Sequence, residues 1–170
     1  DNFINKYGDR FFDVGIEEEH AVAFAGGLGV SGMHPVFAVY STFLQRTYDQ
    51  IFHDVALQLS PVIFAIDRAG LVAGDGKTHQ GLYDCSILSS IPGMEIYSPD
   101  SYDEMKRVFE KLFERGVMSA VRYPRGAEQS YDRSVYLYCE DESFAASDYG
   151  DMKSGSADIT VITYGRVSFE

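Results

Sequence analysis

The sequence has 170 residues, 45% of them hydrophobic, which is enough for one sizeable core in a globular protein. Its formal net charge of −12 argues against nucleic acid or an anionic membrane surface as the main partner, because both would repel it. No apolar run approaches the roughly 20 residues of a membrane-spanning helix, and the two cysteines lack the spacing of a metal site or a disulfide scaffold, so we predict a soluble, cytoplasmic protein.

Strand-like and helix-like patterns alternate through the first 126 residues. Short runs rich in Val, Ile, Phe and Tyr predict strands, and apolar residues spaced three and four apart predict helices. In chain order, the predicted elements are a strand at 11–15, a helix at 18–30, a strand at 34–40, a helix at 44–59, strands at 61–67 and 94–99, a helix at 101–116 and a strand at 119–124. These repeated units predict an α/β fold with a mostly parallel sheet and helices on both faces.

The helix at 101–116 has the clearest boundaries. Ser101, followed three residues later by Glu104, forms a capping box, and Gly116 marks the end. The helix at 18–30 is rich in alanine and glycine, and such small residues permit close contact with a neighbouring helix.

The composition changes after Gly126. Residues 127–157 contain many serines and glycines, an acidic cluster at 140–142 and one short apolar run, which predicts a linker with at most one edge strand. Residues 158–165 (DITVITYG) then form a buried-strand pattern with no helix after it. We therefore expect a first domain at 1–126, a linker at 127–157, and the first strand of a truncated second domain at 158–170.

Polar segments follow four of the predicted strands. The glycine-rich stretch GDGKTHQG, at 74–81, comes after the strand at 61–67, and EEEH, STFLQR and YPRG each follow another strand. In an open parallel sheet, ligands bind beyond the carboxyl ends of the strands. These segments therefore predict a ligand site at that edge, where the glycines allow the backbone to turn tightly beside a ligand.

Four segments carry a resemblance to a known family: VGIEEEHAVAFAGGL, YSTFLQRTYDQIFHDVALQ, IDRAGLVAGDGKTHQG and VRYPRG. They resemble the pyrimidine-binding domain of the 1-deoxy-D-xylulose-5-phosphate synthases, thiamine diphosphate enzymes of the transketolase superfamily. The likeness covers residues 9–126, and the combination of DRAGLVxxDGxTHQG with YSTFLQR is specific to these synthases.

The resemblance implies the central-domain fold of transketolases and a reaction. In that reaction pyruvate and glyceraldehyde 3-phosphate condense, with loss of carbon dioxide, to 1-deoxy-D-xylulose 5-phosphate, a precursor of isoprenoids, thiamine and pyridoxal. It also implies an N-terminal domain outside this chain that holds Mg²⁺ and the cofactor's diphosphate, and a homodimer, for which the apolar, small-residue segment 21–28 would suit a subunit contact.

The resemblance assigns the cofactor pocket to four residues. Glu18 would hydrogen-bond the N1′ nitrogen of the aminopyrimidine, Phe43 would stack on that ring, Tyr40 would face the substrate, and Ile16 would complete the pocket. From the residues alone, Glu17, Glu18 and Glu19 are equally well explained as acids that favour a helix N-terminus, and the aromatics as core. The segment GIEEEH also departs from the commoner family pattern GIAEQH, with an additional acid on each side of Glu18.

The resemblance assigns the substrate to a second set. Arg68 and Arg125 would bind the phosphate, while Asp75 and His79 would contact substrate and assist proton transfer. Without the motif, each arginine could equally form a surface ion pair, Asp75 a helix cap and His79 a solvated turn. Arg46 and His20 are expected to support the site. The histidines and acids show no metal-ligand spacing, so we expect no metal ligand in this chain.

Other functions remain open. The chain could be a non-catalytic binding module or a subunit of a split transketolase-type enzyme. An ordinary transketolase or the β subunit of a 2-oxoacid dehydrogenase is disfavoured by YSTFLQR together with DRAGLVxxDG.

Overall fold

A computed structural model describes residues 2–128 of the chain. The predicted strand at 158–165 and nearly all of the predicted linker lie outside the described residues. In chain order the helices are α1 (Asn2–Tyr7), α2 (Glu18–Val30), α3 (Ser41–Leu44), α4 (Tyr48–Gln50), α5 (Asp84–Ser89) and α6 (Tyr102–Arg115), with 3₁₀ turns at Gly8–Arg10 and Gln45–Thr47 and a π-helical turn at Ile51–Ala56. The strands are β1 (Val36–Tyr40), β2 (Ile63–Asp67), β3 (Glu95–Tyr97) and β4 (Ser119–Arg122).

The four strands form one parallel sheet in the order β1-β2-β4-β3. Side chains of the central strand β2 alternate between two cores. Phe64 and Ile66 pack with residues of α2, α5 and the π-helical turn on one face, whereas Ile63 packs with Val108 and Leu112 of α6 on the other. The prediction of a parallel sheet covered on both faces is confirmed.

The predicted strand at 11–15 is wrong, because residues 11–17 have no regular structure. Both phenylalanines of the strand-like pattern are exposed, Phe11 to 45% and Phe12 to 57%, and the ring of Phe12 lies edge-on, 5.2 Å from that of Phe24 in α2. An apolar run predicts burial of side chains, but it becomes a strand only where a neighbouring strand accepts its backbone hydrogen bonds.

The predicted helix at 44–59 is only partly correct. Its segments run from α3 through a 3₁₀ turn and α4 into the π-helical turn, which ends at Ala56. Leu44, Ile51 and Val55 are fully buried, as the spacing predicts, but Leu59 is 86% exposed and has a φ of 53°. Pro61 cannot continue a helix, so the chain leaves the helical path before reaching it. The sequence pattern gave no sign of α1 or α5.

Helix α6 begins and ends where its signals predicted. Ser101 Oγ accepts a hydrogen bond of 3.2 Å from the Glu104 backbone N–H, and Gly116 has a left-handed φ of 59°. The reciprocal bond differs from a standard capping box, because Glu104 Oε2 accepts from the N–H of Asp100 at 2.6 Å. Burial raises the pKa of the Glu104 carboxyl to about 7.

The small residues of α2 pack inside the domain. Ala21, Ala25, Gly26 and Gly29 are buried, and Ser60 Oγ donates a 2.9 Å hydrogen bond to the Gly26 carbonyl. This side of α2 is therefore covered by the chain's own π-helical turn and the residues after it, whereas Ala23 and Gly27, also in the segment 21–28 expected to suit a subunit contact, are exposed.

Two adjacent glycines in α2 should respond in opposite ways to alanine. A Cβ on Gly26 would lie 2.6 Å from the Asp54 carbonyl oxygen, whereas a Cβ on Gly27 would meet nothing within 4 Å. We expect Gly26→Ala to cost about 1–3 kcal/mol through overpacking, and Gly27→Ala to stabilise by about 0.5–1 kcal/mol through helix propensity. Urea denaturation of both variants checks this, and equal shifts would contradict the close approach of α2.

Candidate active site

Three strands and one helix deliver polar residues to the same edge of the sheet. Tyr40 ends β1 and pairs with Asp67, which ends β2, while Arg122 ends β4. Helix α2 leads into β1 through the short connection 31–35, so it runs back along the sheet and its first residue, Glu18, lies at the carboxyl edge of β1. The predicted convergence is thus observed, although Glu18 arrives on a helix start without a preceding strand.

Asp75 joins the two arginines predicted to bind phosphate. Its side chain is only 9% exposed, and its two oxygens form ion pairs with Arg68 Nη1 and Arg125 Nη1. The loop that carries Asp75 is closed at its base by paired 2.8 Å hydrogen bonds between Gly70 and Gly81. A side chain at residue 81 has no room, because its Cβ would lie 2.3 Å from the Arg68 carbonyl oxygen. Asp75 therefore holds the two cations together.

Arg68 is further held by Tyr40. Its Nη2 donates a 2.9 Å hydrogen bond to the Tyr40 hydroxyl, and its guanidinium carbon lies 3.9 Å from the ring centroid. The Arg68 backbone has a φ of 57°, rare for a residue with a side chain, and its N–H is bound by Asp67 Oδ1 at 2.6 Å. Its Nε is buried and has no hydrogen-bond acceptor among residues 2–128. Arg68 is thus fixed in place by Asp75, Tyr40 and Asp67, while its Nε–H makes no hydrogen bond within residues 2–128.

A row of rings connects this cluster to the glycine-rich loop. Tyr40 and Phe43 stack with centroids 5.9 Å apart, and Phe43 meets His79 edge-on at 5.2 Å. Thr78 Oγ1 lies 2.7 Å from His79 Nδ1, and Thr42 Oγ1 donates to the Thr78 carbonyl at 3.0 Å. His79 therefore contacts Phe43, the ring predicted to stack on the cofactor.

Glu18 forms an ion pair with Arg46, which follows Phe43 by three residues in the chain. Its side chain is 12% exposed, and Arg46 Nη1 lies 2.9 Å from its Oε2. That contact is an ion pair without hydrogen-bond geometry, since the buried Oε2 accepts no hydrogen bond within the described part of the chain. Arg46 also pairs with Glu19, with 3.3 Å between Nη2 and Oε2. The site therefore contains a buried carboxylate oxygen that still lacks a donor.

Two predicted residues occupy more peripheral positions. Ile16 is 83% exposed and has no place in a pocket formed by residues 2–128. His20 is exposed and stacks on Phe24 one helical turn away, with ring centroids 6.2 Å apart. Sequence reasoning also missed the carboxyl-edge ion pair of Arg122 with Asp84, whose side chain is 1% exposed, because 38 residues separate the two.

A cavity of about 290 Å³ lies on the far side of Arg125. It is bordered by the end of β2, the start of α6 and the segment after β4, including Asp67 and Tyr123. Burial, and then the nearby charge of Asp67, raise the pKa of the Tyr123 hydroxyl. The cavity thus adjoins the arginine pair and is separate from Glu18.

The residues present fit the aminopyrimidine end of thiamine diphosphate. A buried carboxylate oxygen without a donor and the partly buried Phe43 ring, three residues before Arg46, are the partners that a flat heteroaromatic ring with a nitrogen donor requires. Within residues 2–128, no group of three or more His, Cys, Asp or Glu side chains could hold a metal ion. In the same range, no helix has the length and apolar character for crossing a bilayer.

An open parallel sheet with this site at its carboxyl edge defines the pyrimidine-binding class of transketolase-type domains. The family described as transketolase, pyrimidine binding domain, matches residues 3–129, and the chain belongs to that family. Two solved structures share the fold. A split gene transketolase, in an inactive β4 tetramer, has a TM-score of 0.67 and 22% identity, covering 77% of this chain and 43% of that one. The transketolase of Campylobacter jejuni has a TM-score of 0.64 and 18% identity, covering 71% of this chain and 20% of that one.

Curated relatives point to one branch of this family. The chain is 51% identical over 130 residues to the 1-deoxy-D-xylulose-5-phosphate synthase of Clostridium kluyveri, covering 76% of this chain and 21% of that protein. It is 46% identical over 165 residues to the synthase of Clostridium acetobutylicum, covering 97% of this chain and 26% of that protein. The chain therefore spans about a fifth to a quarter of the length of these relatives.

Proposed function

We propose that this chain supplies the pyrimidine-binding part of a thiamine diphosphate-dependent synthase. That enzyme would condense pyruvate with glyceraldehyde 3-phosphate, with decarboxylation, to 1-deoxy-D-xylulose 5-phosphate. The observation that carries the proposal is the cluster at the carboxyl edge of the sheet, in which Phe43 contacts His79 and Tyr40, Tyr40 binds Arg68, and Asp75 joins Arg68 to Arg125. The Glu18–Arg46 pair lies at the same edge, in a chain about half identical to such synthases.

The cofactor, when bound, would supply the carbon nucleophile that attacks the oxoacid. Glu18 would share a proton with N1′ of the aminopyrimidine, so that its carboxylate accepts the hydrogen bond when N1′ carries the proton, and Phe43 would stack on the ring. Contact with the cofactor would also exclude water from Glu18, which strengthens the hydrogen bond. Mg²⁺ and the diphosphate are assigned to another domain of the whole enzyme.

The substrates would lie between the rings and the arginines. Arg68 and Arg125 carry planar guanidinium groups that match phosphate or carboxylate oxygens, and Asp75 holds the two together. His79 would hold or move a proton at the substrate oxygen, from its position against Phe43. Tyr40 would border the substrate and keep Arg68 oriented through its hydroxyl.

The compartment and assembly proposed here follow from this function and from the sequence. We infer a cytoplasmic enzyme that works as a homodimer. Since Ala21, Ala25 and Gly26 are buried within the domain, a contact between subunits through α2 would use its exposed side, which carries Ala23 and Gly27.

Cofactor and substrate dependence test the function. The intact enzyme that contains this chain would be incubated with pyruvate, and carbon dioxide release measured with and without thiamine diphosphate, Mg²⁺ and glyceraldehyde 3-phosphate. Release that needs the cofactor and yields 1-deoxy-D-xylulose 5-phosphate supports the proposal. If the enzyme formed product from a sugar phosphate donor in place of pyruvate, the result would favour a transketolase. If it bound ligand without turnover, the result would favour a non-catalytic module or a subunit of a split enzyme.

Replacing Arg125 should chiefly affect the aldehyde phosphate. Arg125→Ala removes charge-assisted hydrogen bonds worth about 1.5–3 kcal/mol each, so we expect its KM to rise by roughly ten- to a hundred-fold with a smaller change in kcat. Steady-state kinetics at saturating pyruvate measure this. The matched control is Arg115→Ala, which removes a half-exposed arginine paired with Glu95 on the β3 side of the sheet. An unchanged KM in the Arg125 variant would remove that residue from the phosphate site.

A further inference from the structure

The two ring nitrogens of His79 have different surroundings. Nδ1 lies 2.7 Å from the hydroxyl oxygen of Thr78, whereas Nε2 makes no hydrogen bond within residues 2–128. A neutral imidazole carries a donor at one nitrogen and an acceptor at the other. The hydrogen bond at Nδ1 therefore decides what Nε2 offers to a ligand.

The backbone is held on both sides of His79. On the side before it, Thr42 Oγ1 donates a 3.0 Å hydrogen bond to the Thr78 carbonyl. On the side after it, the Gln80 amide pairs with the backbone of Val72, accepting from its N–H at 2.8 Å and donating to its carbonyl at 3.1 Å. The freedoms that remain to the imidazole are rotation about its own side-chain bonds and the choice of the nitrogen that carries its proton.

The Thr78 hydroxyl has a single proton to donate. Within the described part of the chain, His79 Nδ1 is the acceptor at hydrogen-bond distance from it. If Nδ1 carried the imidazole proton, it would donate to Thr78 Oγ1, and the hydroxyl proton would have no acceptor among residues 2–128. If the hydroxyl donates to Nδ1, its proton is used, and the imidazole proton lies on Nε2.

We propose that Thr78 is a positioning residue that keeps the imidazole proton of His79 on Nε2, ready for an oxygen of the substrate. This inference rests on the proposed function, in which His79 holds or moves a proton at that oxygen. A carbonyl or carboxylate oxygen accepts hydrogen bonds and does not donate them, so Nε2 binds it only when Nε2 carries the proton. Without the Thr78 hydroxyl, the neutral ring divides between its two tautomers, and some molecules present an acceptor to the substrate.

Nitrogen NMR of the imidazole tests the tautomer directly. The 170-residue chain would be labelled with ¹⁵N-histidine and recorded at a pH where the ring is neutral, and the variant His79→Asn would identify the His79 signals among those of the four histidines. We expect Nδ1 of the parent chain to have the chemical shift of an unprotonated nitrogen. In Thr78→Val, which replaces the hydroxyl by a methyl group, this shift should move toward the mean of the two tautomers.

Two further variants are the controls for the NMR experiment. Thr78→Ser keeps the hydroxyl, and Thr42→Val removes a different hydroxyl, the one that binds the Thr78 backbone and does not contact the imidazole. Both should retain the chemical shift of the parent chain. A protonated Nδ1 in the parent, an unchanged shift in Thr78→Val, or an equal change in Thr42→Val would overturn the proposal.

Turnover by the intact enzyme shows whether the tautomer matters to the reaction. We expect Thr78→Val to lower kcat by about ten-fold, with a smaller change in the KM for the aldehyde phosphate, and Thr78→Ser to stay within about two-fold of the parent. Serine restores the donor without the methyl group, so this rescue separates the hydrogen bond from packing. An unchanged kcat in the valine variant, or equal losses in both, would overturn this inference alone, whereas a parent enzyme that forms no 1-deoxy-D-xylulose 5-phosphate would overturn the proposed function.

Discussion

Replacing Glu18 with alanine should abolish hydrogen exchange at C2 of bound thiamine diphosphate, with the rate falling by about 10²–10⁴-fold in the intact enzyme. The carboxyl that would bind N1′ has a buried oxygen that accepts no hydrogen bond within residues 2–128. Alanine removes that group and leaves only water to replace it. Exchange into deuterium oxide, quenched with acid and followed by proton NMR, measures the rate at saturating cofactor.

Two features make this experiment interpretable. Arg46 keeps its pairing with Glu19 when Glu18 is lost, so the variant does not leave an arginine without an anion. Glu17→Ala is the matched control, because it removes an exposed glutamate one residue away and should leave the exchange rate unchanged. If the Glu18 variant binds cofactor and exchanges at the parent rate, Glu18 does not activate the cofactor.

The sheet was predictable because its strands carry their burial in the sequence. The first four residues of β2 are buried and Asp67, the fifth, is half-buried. The strand therefore appears in the sequence as a continuous apolar run, which is typical of a parallel sheet covered on both faces. Residues 11–15 carry a similar aromatic pattern but pack on α2. Phe11 and Phe12 remain exposed and no neighbouring strand accepts the backbone of this segment, so an aromatic pattern alone wrongly predicted a strand.

The site was predictable in part. Placing polar segments after the strands located the edge, and the resemblance selected residues such as Arg68, Asp75 and Arg125 from among the other charges. Their mutual contacts could not be derived, because 50 residues separate Asp75 from Arg125 and ion pairs leave no periodic trace in a sequence. Likewise, nothing in EEE showed that the side chain of the middle glutamate is the most buried of the three, or that the second and third both pair with Arg46.

The buried ion pair beneath the site carries the second large effect. Arg122 Nε donates to Asp84 Oδ2 at 2.8 Å and Nη2 donates to Oδ1 at 3.2 Å, so the carboxylate is bound at two points. Arg122 also donates to Ser98 Oγ at 3.2 Å. This arginine thereby connects the end of β4 to the start of α5 and to the segment after β3, three residues before Arg125 enters the site.

Asp84→Ala should lower the free energy of unfolding by about 3–5 kcal/mol, because it leaves the Arg122 charge buried with its principal anion removed. Urea denaturation measures the loss. Asp84→Ala combined with Arg122→Met should be less destabilised than the single variant, since the pair is then replaced by apolar groups. The exposed pair Lys106–Glu110 is the control: Glu110→Ala should cost no more than about 0.5 kcal/mol. If Asp84→Ala and Glu110→Ala lowered the free energy of unfolding by similar amounts, burial of the Asp84–Arg122 pair would not add to its contribution to stability. The sheet edge before Arg125 would then be held by the packing of β4 and its pairing with β2 and β3.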